Sequence, residues 1–569
     1  MGCYCKAGAV CLASLVLAGP FLPNSPAHGQ AHVRPGDRRP ELEPFAPEAP
    51  PPESLELPPI PQPRDTRPGP FSAGVEIHVE AFRVEGNTVF PTEELELLVA
   101  PYSGRVINSE DLLRAREAIT QHYIEHGYRT SGAVIPDQEI VDGVVTIRVV
   151  EGVLSAVRVE GTRRFRPGYF RTRLRRAGRA PVNVFTLEEQ LQRFQRDPRV
   201  KRIRARLLPG SHRGESELTL EVEEERFYGL LLAFANDNTP AIGSNTLHVE
   251  PAIANLIGYG DVLGGRIQIS EGLRRYEARF DVTLPPFDTR IVFEYRRSES
   301  QVVEAPFDEL EIHSQSETLG GTLSQPFYLG RSGELLVGAT FQYRTSETEI
   351  LDECFAFVPD TSECEVTVSV LRLFGAWTWA TPRNVIAARS TLSVGLDAFG
   401  STQRDSPLPD SEFLAWLGQA QWAHRLPDSL LNSELIARVD VQTASEALVG
   451  IEKFAVGGMR TVRGYRENQF VRDNGVVASL ELRIPLLRDR RGRSMVELAP
   501  FVDYGHSWND GPVGELFETI ASVGIGLRVS PWEWLQGEFY WGGRLKEAPT
   551  LSDDPQNHGI HFAVRITSF

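Results

Sequence analysis

Alternation of apolar residues with polar, small or charged ones dominates the chain after residue 226. It runs in segments of roughly 7 to 14 residues, and turns rich in Gly, Pro, Asp and Asn separate them. A period of two residues predicts β-strands with one apolar face, and helical periodicity is missing from this part of the chain. The clearest predicted strands are residues 289–295, 335–343, 366–379, 387–399, 413–424, 431–441, 476–487, 520–529, 535–542 and 560–566.

With the weaker segments included, residues 227–569 are predicted to form 16 strands. An even number of long strands, with aromatic residues gathered at their ends, is typical of a transmembrane barrel with interfacial girdles. A large soluble all-β domain is the alternative, and it explains neither feature. The prediction is an all-β, 16-stranded antiparallel transmembrane barrel whose girdles include Trp377, Trp379, Trp416, Trp422, Trp532, Trp534, Tyr540 and Trp541.

Residues 74–152 and 153–226 show a mixed pattern that occurs twice. In each copy a short alternating stretch leads into two segments with helical periodicity, and two further alternating stretches close the unit. In the first copy Ala115, Ile119 and Tyr123 share one helix face. Two adjacent units with one pattern are an internal repeat. We therefore predict two small α+β domains of order β-α-α-β-β in front of the barrel.

The N-terminus is predicted to direct export. Residues 1–30 read as a signal peptide, with Lys6 before a short apolar stretch and small residues near Ala27 for cleavage. Residues 31–73 form a proline-rich linker, because 13 prolines between positions 31 and 70 leave too little apolar surface for a core. An exported chain with no run of 18 apolar residues is either soluble or a closed barrel.

Charge is distributed unevenly along a chain of net charge −17. Residues 158–206 carry 16 Arg or Lys against four acidic residues. A well-solvated basic face is the simpler interpretation, and attraction of an acidic polypeptide or of anionic lipid head groups is the alternative. Nucleic acid is not expected as a partner, because export removes the chain from it.

Two cysteines, Cys354 and Cys364, remain after removal of the signal peptide. In an oxidising compartment a local disulfide between them is expected, and two free thiols are the alternative. Such a bond stiffens a loop and does not hold the fold together.

Short motifs in the first small domain resemble a known family. Gly-Tyr-Arg-Thr at 127–130, Ile-Pro-Asp-Gln at 135–138 and Asp-Gly-Val-Val at 142–145 precede Val-Val-Glu-Gly at 149–152. This set resembles the first POTRA (polypeptide-transport-associated) domain of two-partner secretion transporters of the haemolysin-activator and filamentous-haemagglutinin type. The resemblance implies a partner-binding motif that includes Gly127, Tyr128, Pro136, Gln138 and Gly143.

Two motifs in the barrel strengthen the resemblance. If the first strand runs from the periplasm to the cell surface, every loop that joins an odd-numbered strand to the next even-numbered one lies outside the cell. The two cysteines then fall in the fourth of these outer loops, and residues 444–475 form the sixth. Val-Arg-Gly-Tyr at 462–465 in that loop, and Phe-Val-Asp-Tyr-Gly at 501–505 on the thirteenth strand, are similar to the two barrel signatures of the superfamily. The resemblance implies that the loop folds into the lumen, where Arg463 meets Asp503. Gly464 allows a tight turn and Tyr465 packs against the wall.

The resemblance implies a protein of the bacterial outer membrane, with its two POTRA domains in the periplasm. It would capture an acidic or unfolded segment of one large secreted exoprotein, which has its own signal peptide, and export it through the barrel. Outer-membrane lipid and, during biogenesis, the barrel-assembly machinery are the other expected partners. A factor that inserts other proteins into the outer membrane is the nearer alternative, and a passive porin the more distant one.

No enzymatic activity, cofactor or metal is expected. The sequence contains no GxxxxGK[ST] stretch for nucleotide binding and no GxSxG stretch for a serine nucleophile. His122 and His126 match the inverted zinc-protease string H-x-x-E-H, but they are expected to be solvated residues of a helix.

Two departures from the family pattern concern the chain ends. The family has a pore-plugging helix near its mature N-terminus, whereas here any plug must be short, around residues 53–57, or absent, because proline saturates the region. The last predicted strand alternates Ile560, Phe562, Val564 and Ile566, which leaves the terminal Phe569 out of phase.

Overall fold

A computed structural model describes residues 76–330, 332–354, 364–404, 408–509, 517–550 and 553–568. The predicted signal peptide, linker and plug segment, and Phe569, lie outside these residues. Among the described residues, no helix is both long and apolar enough to cross a membrane.

The first small domain packs two helices against a three-stranded sheet. Strand β2 (Ala81–Glu85) pairs in parallel with β5 (Val144–Val150), and β4 (Gly132–Val134) pairs with the other side of β5 in the antiparallel sense. The structure adds a short strand, β3 (Arg105–Ile107), that the predicted order omits; it pairs with β1 (Ile77–Val79) in a separate sheet. The elements are β1 (Ile77–Val79), β2 (Ala81–Glu85), α1 (Thr92–Val99), β3 (Arg105–Ile107), α2 (Ser109–Glu125), β4 (Gly132–Val134) and β5 (Val144–Val150).

Helix α2 begins after the predicted N-terminal cap, and its predicted apolar side faces the core of the domain. The side chain of Asn108 accepts a hydrogen bond from the Asp111 amide at the N-terminus. Ala115, Ile119 and Tyr123 are fully buried, because their spacing places them on one side of the helix. Burial of a large apolar side chain contributes about 1.5–3 kcal/mol, so this face decides how the helix packs.

The second small domain repeats the same sheet. Strand β6 (Val153–Glu160) pairs in parallel with β8 (Glu215–Glu224), and β7 (Val200–Pro209) pairs with β8 in the antiparallel sense. The internal repeat is therefore one of topology as well as of pattern. Its elements are β6 (Val153–Glu160), α3 (Pro167–Ala177), α4 (Val184–Gln195), β7 (Val200–Pro209) and β8 (Glu215–Glu224).

The described residues from Tyr228 onward form a closed antiparallel barrel of sixteen strands, in which the first pairs with the sixteenth. Several strands, such as the fifth and the seventh, are longer than predicted, whereas the ninth, tenth and eleventh have the predicted length but a shifted position. The sixteen strands span Tyr228–Ala235, Thr246–Ala254, Val262–Ile269, Leu273–Leu284, Thr289–Gln301, His313–Leu329, Gly333–Ile350, Glu365–Ala380, Asn384–Leu396, Leu414–Arg425, Glu434–Ala444, Asn474–Arg488, Ser494–Trp508, Phe517–Trp532, Leu535–Arg544 and Ile560–Thr567.

Alternation along each strand separates a lipid-facing side from a lumen-facing side. On the thirteenth strand Val502 and Tyr504 are exposed on the outer surface, whereas Phe501 and Asp503 are buried inside. Tyr540 was predicted as a girdle residue, but it lies on the lumen side of the fifteenth strand and is buried. The prediction was wrong there because strand ends alone do not say which face a residue occupies.

The tryptophans of the outer surface lie near the two ends of the barrel. Trp416 and Trp541 are near the outer-loop ends of the tenth and fifteenth strands, and Trp377 and Trp422 near the opposite end of theirs. Two girdles of this kind are typical of a membrane-spanning band.

Arginines fasten the second small domain to one end of the barrel. Arg173 pairs with Asp288 in the turn between the fourth and fifth strands at 2.5 Å, and Arg176 donates to the carbonyl oxygen of Pro286 at 2.9 Å. The interpretation of the basic stretch as a solvated face is therefore wrong for Arg173, which is buried, whereas Arg176 stays exposed while it contacts the barrel. Further docking contacts are Arg164 over the ring of Phe227, Arg193 with the carbonyl oxygen of Leu329, and Arg199 with the carbonyl oxygen of Gly260.

A disulfide joins Cys354 and Cys364 in the fourth outer loop, at the end of the barrel away from the small domains. The two Cα atoms are 5.3 Å apart. The bond closes a loop of ten residues, so its effect is local.

Candidate functional site: the sixth outer loop inside the barrel

The sixth outer loop, residues 445–473, folds into the lumen. Within it a short hairpin pairs Phe454–Val456 with Phe470–Arg472. Val462 and Tyr465, near the loop tip, are fully buried. They form one apolar cluster with Phe454, Val456 and the wall residues Leu417, Val477 and Ile520. Because these wall residues belong to the tenth, twelfth and fourteenth strands, the loop lies against the interior of the barrel.

Arg463 at the loop tip binds Asp503 on the thirteenth strand. Its Nε lies 2.8 Å from Oδ2 and its Nη2 2.8 Å from Oδ1, so the two planar groups meet through two parallel hydrogen bonds. The Arg463 amide also donates to Oδ2 at 3.0 Å. The Asp503 side chain is fully buried, and three donors from one residue satisfy much of its hydrogen-bonding capacity.

A second carboxylate and two aromatic rings complete the environment of Arg463. Nη1 pairs with Glu481 on the twelfth strand. The guanidinium carbon lies 3.6 Å from the ring centroid of Phe501 and 4.9 Å from that of Tyr540. The two carboxylates and the aromatic faces offset the cost of burying this cation in an enclosed space.

Sequence reasoning missed Glu481, although its signal was present. The twelfth strand reads Ala-Ser-Leu-Glu-Leu-Arg-Ile from position 478, so Ser479, Glu481 and Arg483 alternate with apolar residues and must face the lumen. Ser479 also joins the contact, since its hydroxyl donates to Asp503 Oδ1 at 2.6 Å. Which lumen residues meet the loop depends on the strand register, which the pattern alone does not supply.

Gly464 passes close to the barrel wall in a left-handed conformation. Its φ is +94°, and a Cβ there would lie 2.8 Å from the carbonyl oxygen of Gly542. Its amide donates to Nε2 of the buried His561 at 3.1 Å, and Arg544 donates to its carbonyl oxygen at 2.6 Å. The position therefore needs glycine for both its backbone angle and its lack of a side chain.

Tyr465 fills the space behind the tip. Its hydroxyl oxygen lies 2.6 Å from the carbonyl oxygen of Lys546 and 2.9 Å from that of Ala521. These are wall and outer-loop positions at the fourteenth and fifteenth strands. We call Arg463, Gly464 and Tyr465, with Asp503, the tip anchor of the loop.

The residues of the predicted partner-binding motif make contacts within the first small domain and, at Gly127, with the second small domain. Gly127 has a φ of +91°, and its carbonyl oxygen accepts from the Val184 amide of the second domain at 2.9 Å. A Cβ at Gly127 would lie 2.6 Å from the side-chain oxygen of Asn183. The residue therefore lies at the junction of the two small domains.

The remaining motif residues stabilise the first domain. Gln138 extends the sheet with its side-chain amide, which donates to the carbonyl oxygen of Thr146 at 2.8 Å and accepts from its amide at 2.7 Å. Gly143 has a φ of +73°, and Tyr128 packs against the domain core. Pro136 accepts a long hydrogen bond of 3.3 Å from Gln138 through its carbonyl oxygen. Their partner-binding role stays a prediction.

Glu151, beside this motif, links the end of strand β5 to the loop before helix α1 and to helix α2. It accepts hydrogen bonds from the amides of Thr88 at 2.6 Å and Val89 at 3.0 Å, and from the hydroxyl of Tyr123 at 2.9 Å. Burial alone raises the pKa of this carboxyl, but the hydrogen bonds from Thr88, Val89 and Tyr123 outweigh burial and lower it.

The histidines of the H-x-x-E-H string differ in their environments. His126 is exposed, whereas the side chain of His122 is only 16% exposed and lies 2.9 Å from Glu94. The expectation that both are solvated is therefore wrong for His122, which packs against Phe90. No group of three metal-ligating side chains is found in the part of the chain that the structure describes.

A barrel of sixteen strands, two small domains docked at one end and an arginine-bearing loop held in the lumen define a class of outer-membrane proteins. Comparison with protein families agrees with that class. Residues 214–529 match the family described as haemolysin secretion/activation protein ShlB/FhaC/HecB, and residues 77–152 match the ShlB-type POTRA domain. The chain belongs to this family, which is one of outer-membrane transporters and not of enzymes.

Individual relatives agree with the family. The outer membrane transporter CdiB of Dickeya dadantii is 24% identical over 489 residues, which cover 83% of each chain. The heme/hemopexin transporter protein HuxB of Haemophilus influenzae is 22% identical over 438 residues, 73% of each chain. The chain therefore lies in the outer membrane, and its POTRA domains are in the periplasm.

Solved structures show the same fold. CdiB from Escherichia coli matches with a TM-score of 0.66 and 20% identity, over 90% of this chain and 94% of that one. BamA from Haemophilus ducreyi lacking POTRA domains 1–3 matches with a TM-score of 0.54 and 14% identity, over 86% of this chain and all of that one.

Proposed function

We propose that the chain captures an unfolded segment of one large exoprotein in the periplasm and exports that protein through its barrel. The observation that carries the proposal is the tip anchor inside a sixteen-stranded barrel, in a chain that belongs to a transporter family. A passive porin has no need of a loop bound to its wall by a buried arginine. The function needs no catalytic step and no cofactor.

Capture is proposed to use a sheet edge of the small domains. In the sheet order β6-β8-β7, strand β7 is an edge strand of ten residues, whereas the edge strand β4 of the first domain has three. An extended polypeptide adds to such an edge through main-chain hydrogen bonds, which carry little sequence preference. Arg202, Arg204 and Arg206 are exposed on β7, and although Arg206 pairs with Glu221 of β8, this run of arginines favours an acidic segment.

The energy for export is proposed to come from folding of the exoprotein outside the cell. The chain has no nucleotide-binding stretch, and the periplasm has no ATP. A segment that folds on the outside cannot return through the lumen, so each folded segment makes the movement directional. Outer-membrane lipid surrounds the barrel, and the barrel-assembly machinery is the proposed partner during biogenesis.

The test is co-expression with the large exoprotein of the neighbouring gene, which should carry its own signal peptide. We expect the exoprotein in the medium with the wild-type chain, and at a small fraction of that amount with Arg463→Ala. Arg491→Ala, which removes an exposed arginine from a periplasmic turn, is the matched control and should export normally. Equal amounts in the medium without the chain would overturn the proposal.

Assembly of other outer-membrane proteins is the alternative function, since the fold is also that of BamA. Membership of the transporter family favours export. Deletion of the gene separates the two functions: export predicts loss of one exoprotein from the medium with unchanged levels of other barrels. A general fall in outer-membrane barrels would favour assembly.

A further inference from the structure

The sixth outer loop has a second buried contact with the barrel, at Glu452. This residue lies eleven positions before Arg463, in the first part of the loop, and its side chain is fully buried. Its Oε1 lies 2.6 Å from Nη1 of Arg344 and 2.9 Å from Nη2 of Arg372. Its Oε2 lies 3.1 Å from the same Nη2.

The two arginines belong to the interior of the barrel wall. Arg344 is on the seventh strand and Arg372 on the eighth, both at even-numbered positions, whereas the odd-numbered Val337 and Leu373 of these strands are exposed on the outer surface. Arg372 also donates to Oε1 of Gln342 at 3.0 Å and to the hydroxyl of Ser393 at 2.7 Å. The wall therefore positions Arg372 by itself, and Arg344 supplies a second cation beside it that bonds to the loop.

The contact at Glu452 is remote from the tip anchor along the wall. Asp503 is on the thirteenth strand, five strands around the barrel from Arg372 on the eighth. An apolar cluster of its own accompanies Glu452: Leu448 and Val449 of the loop pack against Val368, Val370, Phe413 and Ala415. This cluster shares no residue with the one that contains Tyr465. The loop is thus held on two sides of the lumen.

Electrostatics makes the contact specific. Without a carboxylate, Arg344 and Arg372 would be two like charges in an enclosed wall, and removing one partner of a buried pair leaves the other charge uncompensated. Arg344 also donates to the carbonyl oxygen of Ile451 at 3.0 Å, so the arginines fix the loop backbone as well as the carboxylate.

We propose that Glu452 is a second anchor, which holds the base of the sixth outer loop against the seventh and eighth strands independently of the tip anchor. Glu452 is thus a positioning residue for transport: it sets where the loop lies in the lumen, and opening of the lumen requires release of its contact as well as that of Arg463. The inference deepens the proposed export function and concerns the same loop.

The experiment records single channels of the purified full-length protein in planar bilayers. Glu452→Gln keeps the size of the side chain but removes its charge, and we expect the open time to rise by about tenfold or more. Glu446→Gln is the matched control, because Glu446 is an exposed carboxylate in the same loop, and its open time should stay near that of the wild type. If the two anchors are independent, the double variant Glu452→Gln/Arg463→Ala should have a longer open time than either single variant.

Arg372→Gln removes the other partner of the same ion pair. It replaces Glu452→Gln as the test if that variant does not fold. It should lengthen the open time in the same direction, and combination with Glu452→Gln should add little. Heat-dependent mobility on gels verifies that each barrel is assembled. Open times for Glu452→Gln and Arg372→Gln equal to those of Glu446→Gln would overturn the second anchor.

Failure of the second anchor and failure of the export function give different results. Exoprotein export by the wild-type chain, together with unchanged open times in Glu452→Gln, overturns the anchor alone. A longer open time in Glu452→Gln without exoprotein export by the wild type supports the anchor and overturns the export function.

Discussion

Gly464 and Gly542 touch through their backbones: a Cβ on Gly542 would lie 2.8 Å from the Cα of Gly464. The first residue is at the tip of the sixth outer loop and the second is on the fifteenth strand. Only a wall position without a side chain allows the tip to come this close, so the fit of the loop depends on both residues.

Replacement of Gly542 by alanine should displace the loop tip. The added Cβ would collide with backbone atoms, which cannot rotate away as a side chain can. We expect faster protease cleavage within the loop and a longer open time in bilayers for Gly542→Ala. Gly543→Ala is the neighbouring control, because its Cβ would meet nothing closer than 3.5 Å. Equal cleavage rates in the two variants would contradict the fit described above.

Replacement of Arg463 by lysine should weaken the tip anchor although it keeps the charge. Lysine has no planar fork, so it cannot bind Asp503 through two parallel hydrogen bonds and reach Glu481 as well. Disruption of a buried pair costs about 3–5 kcal/mol when a charge is left without a partner, and lysine should lose part of that. Exoprotein secretion and protease resistance of the loop should both fall. Arg491→Lys should leave both unchanged.

Glu151 should make the first small domain sensitive to acid. The pKa of the Glu151 carboxyl is lower in the folded domain than in the unfolded chain, where it is about 4.3. The carboxylate therefore contributes fully to the free energy of unfolding above the unfolded pKa. This contribution is lost as the pH falls through the folded pKa. Pulse proteolysis of the full-length protein in urea should show a stability loss below about pH 4.5 that is smaller in Glu151→Gln.

At neutral pH Glu151→Gln should be less stable than the wild type by about 1.5–3 kcal/mol, because charge-assisted hydrogen bonds are lost. Glu85→Gln changes an exposed carboxylate of the same domain and serves as the control. If both variants had the same stability between pH 4 and pH 7, the assigned role of Glu151 would be incorrect.

Arg173→Ala should loosen the second small domain from the barrel. Arg173 is buried and pairs with Asp288, whereas Arg175 on the same helix is exposed and provides the matched control. Spin labels placed on α3 and on a periplasmic turn should give a broader distance distribution in Arg173→Ala, and an unchanged one in Arg175→Ala. An unchanged distribution in both would show that the other arginines suffice for docking.

The sequence by itself determined the architecture, because alternation and helical periodicity report which faces of an element avoid water. The sixteen strands and the two repeated small domains follow from that pattern, and the Arg463–Asp503 contact was expected from motifs that resemble a family. Strand β3 was missed because Arg105, Val106 and Ile107 do not alternate: the apolar Val106 is exposed next to the buried Ile107.

Tertiary structure decided everything that depends on the register between strands distant in sequence. It placed Glu481, Phe501 and Tyr540 around Arg463, turned Tyr540 from the membrane to the lumen, and brought Glu452 to Arg344 and Arg372. It also brought arginines of the second small domain into contact with the turns of the barrel. Periodicity assigns a residue to a face, but only barrel closure and loop path determine which charges meet across the lumen.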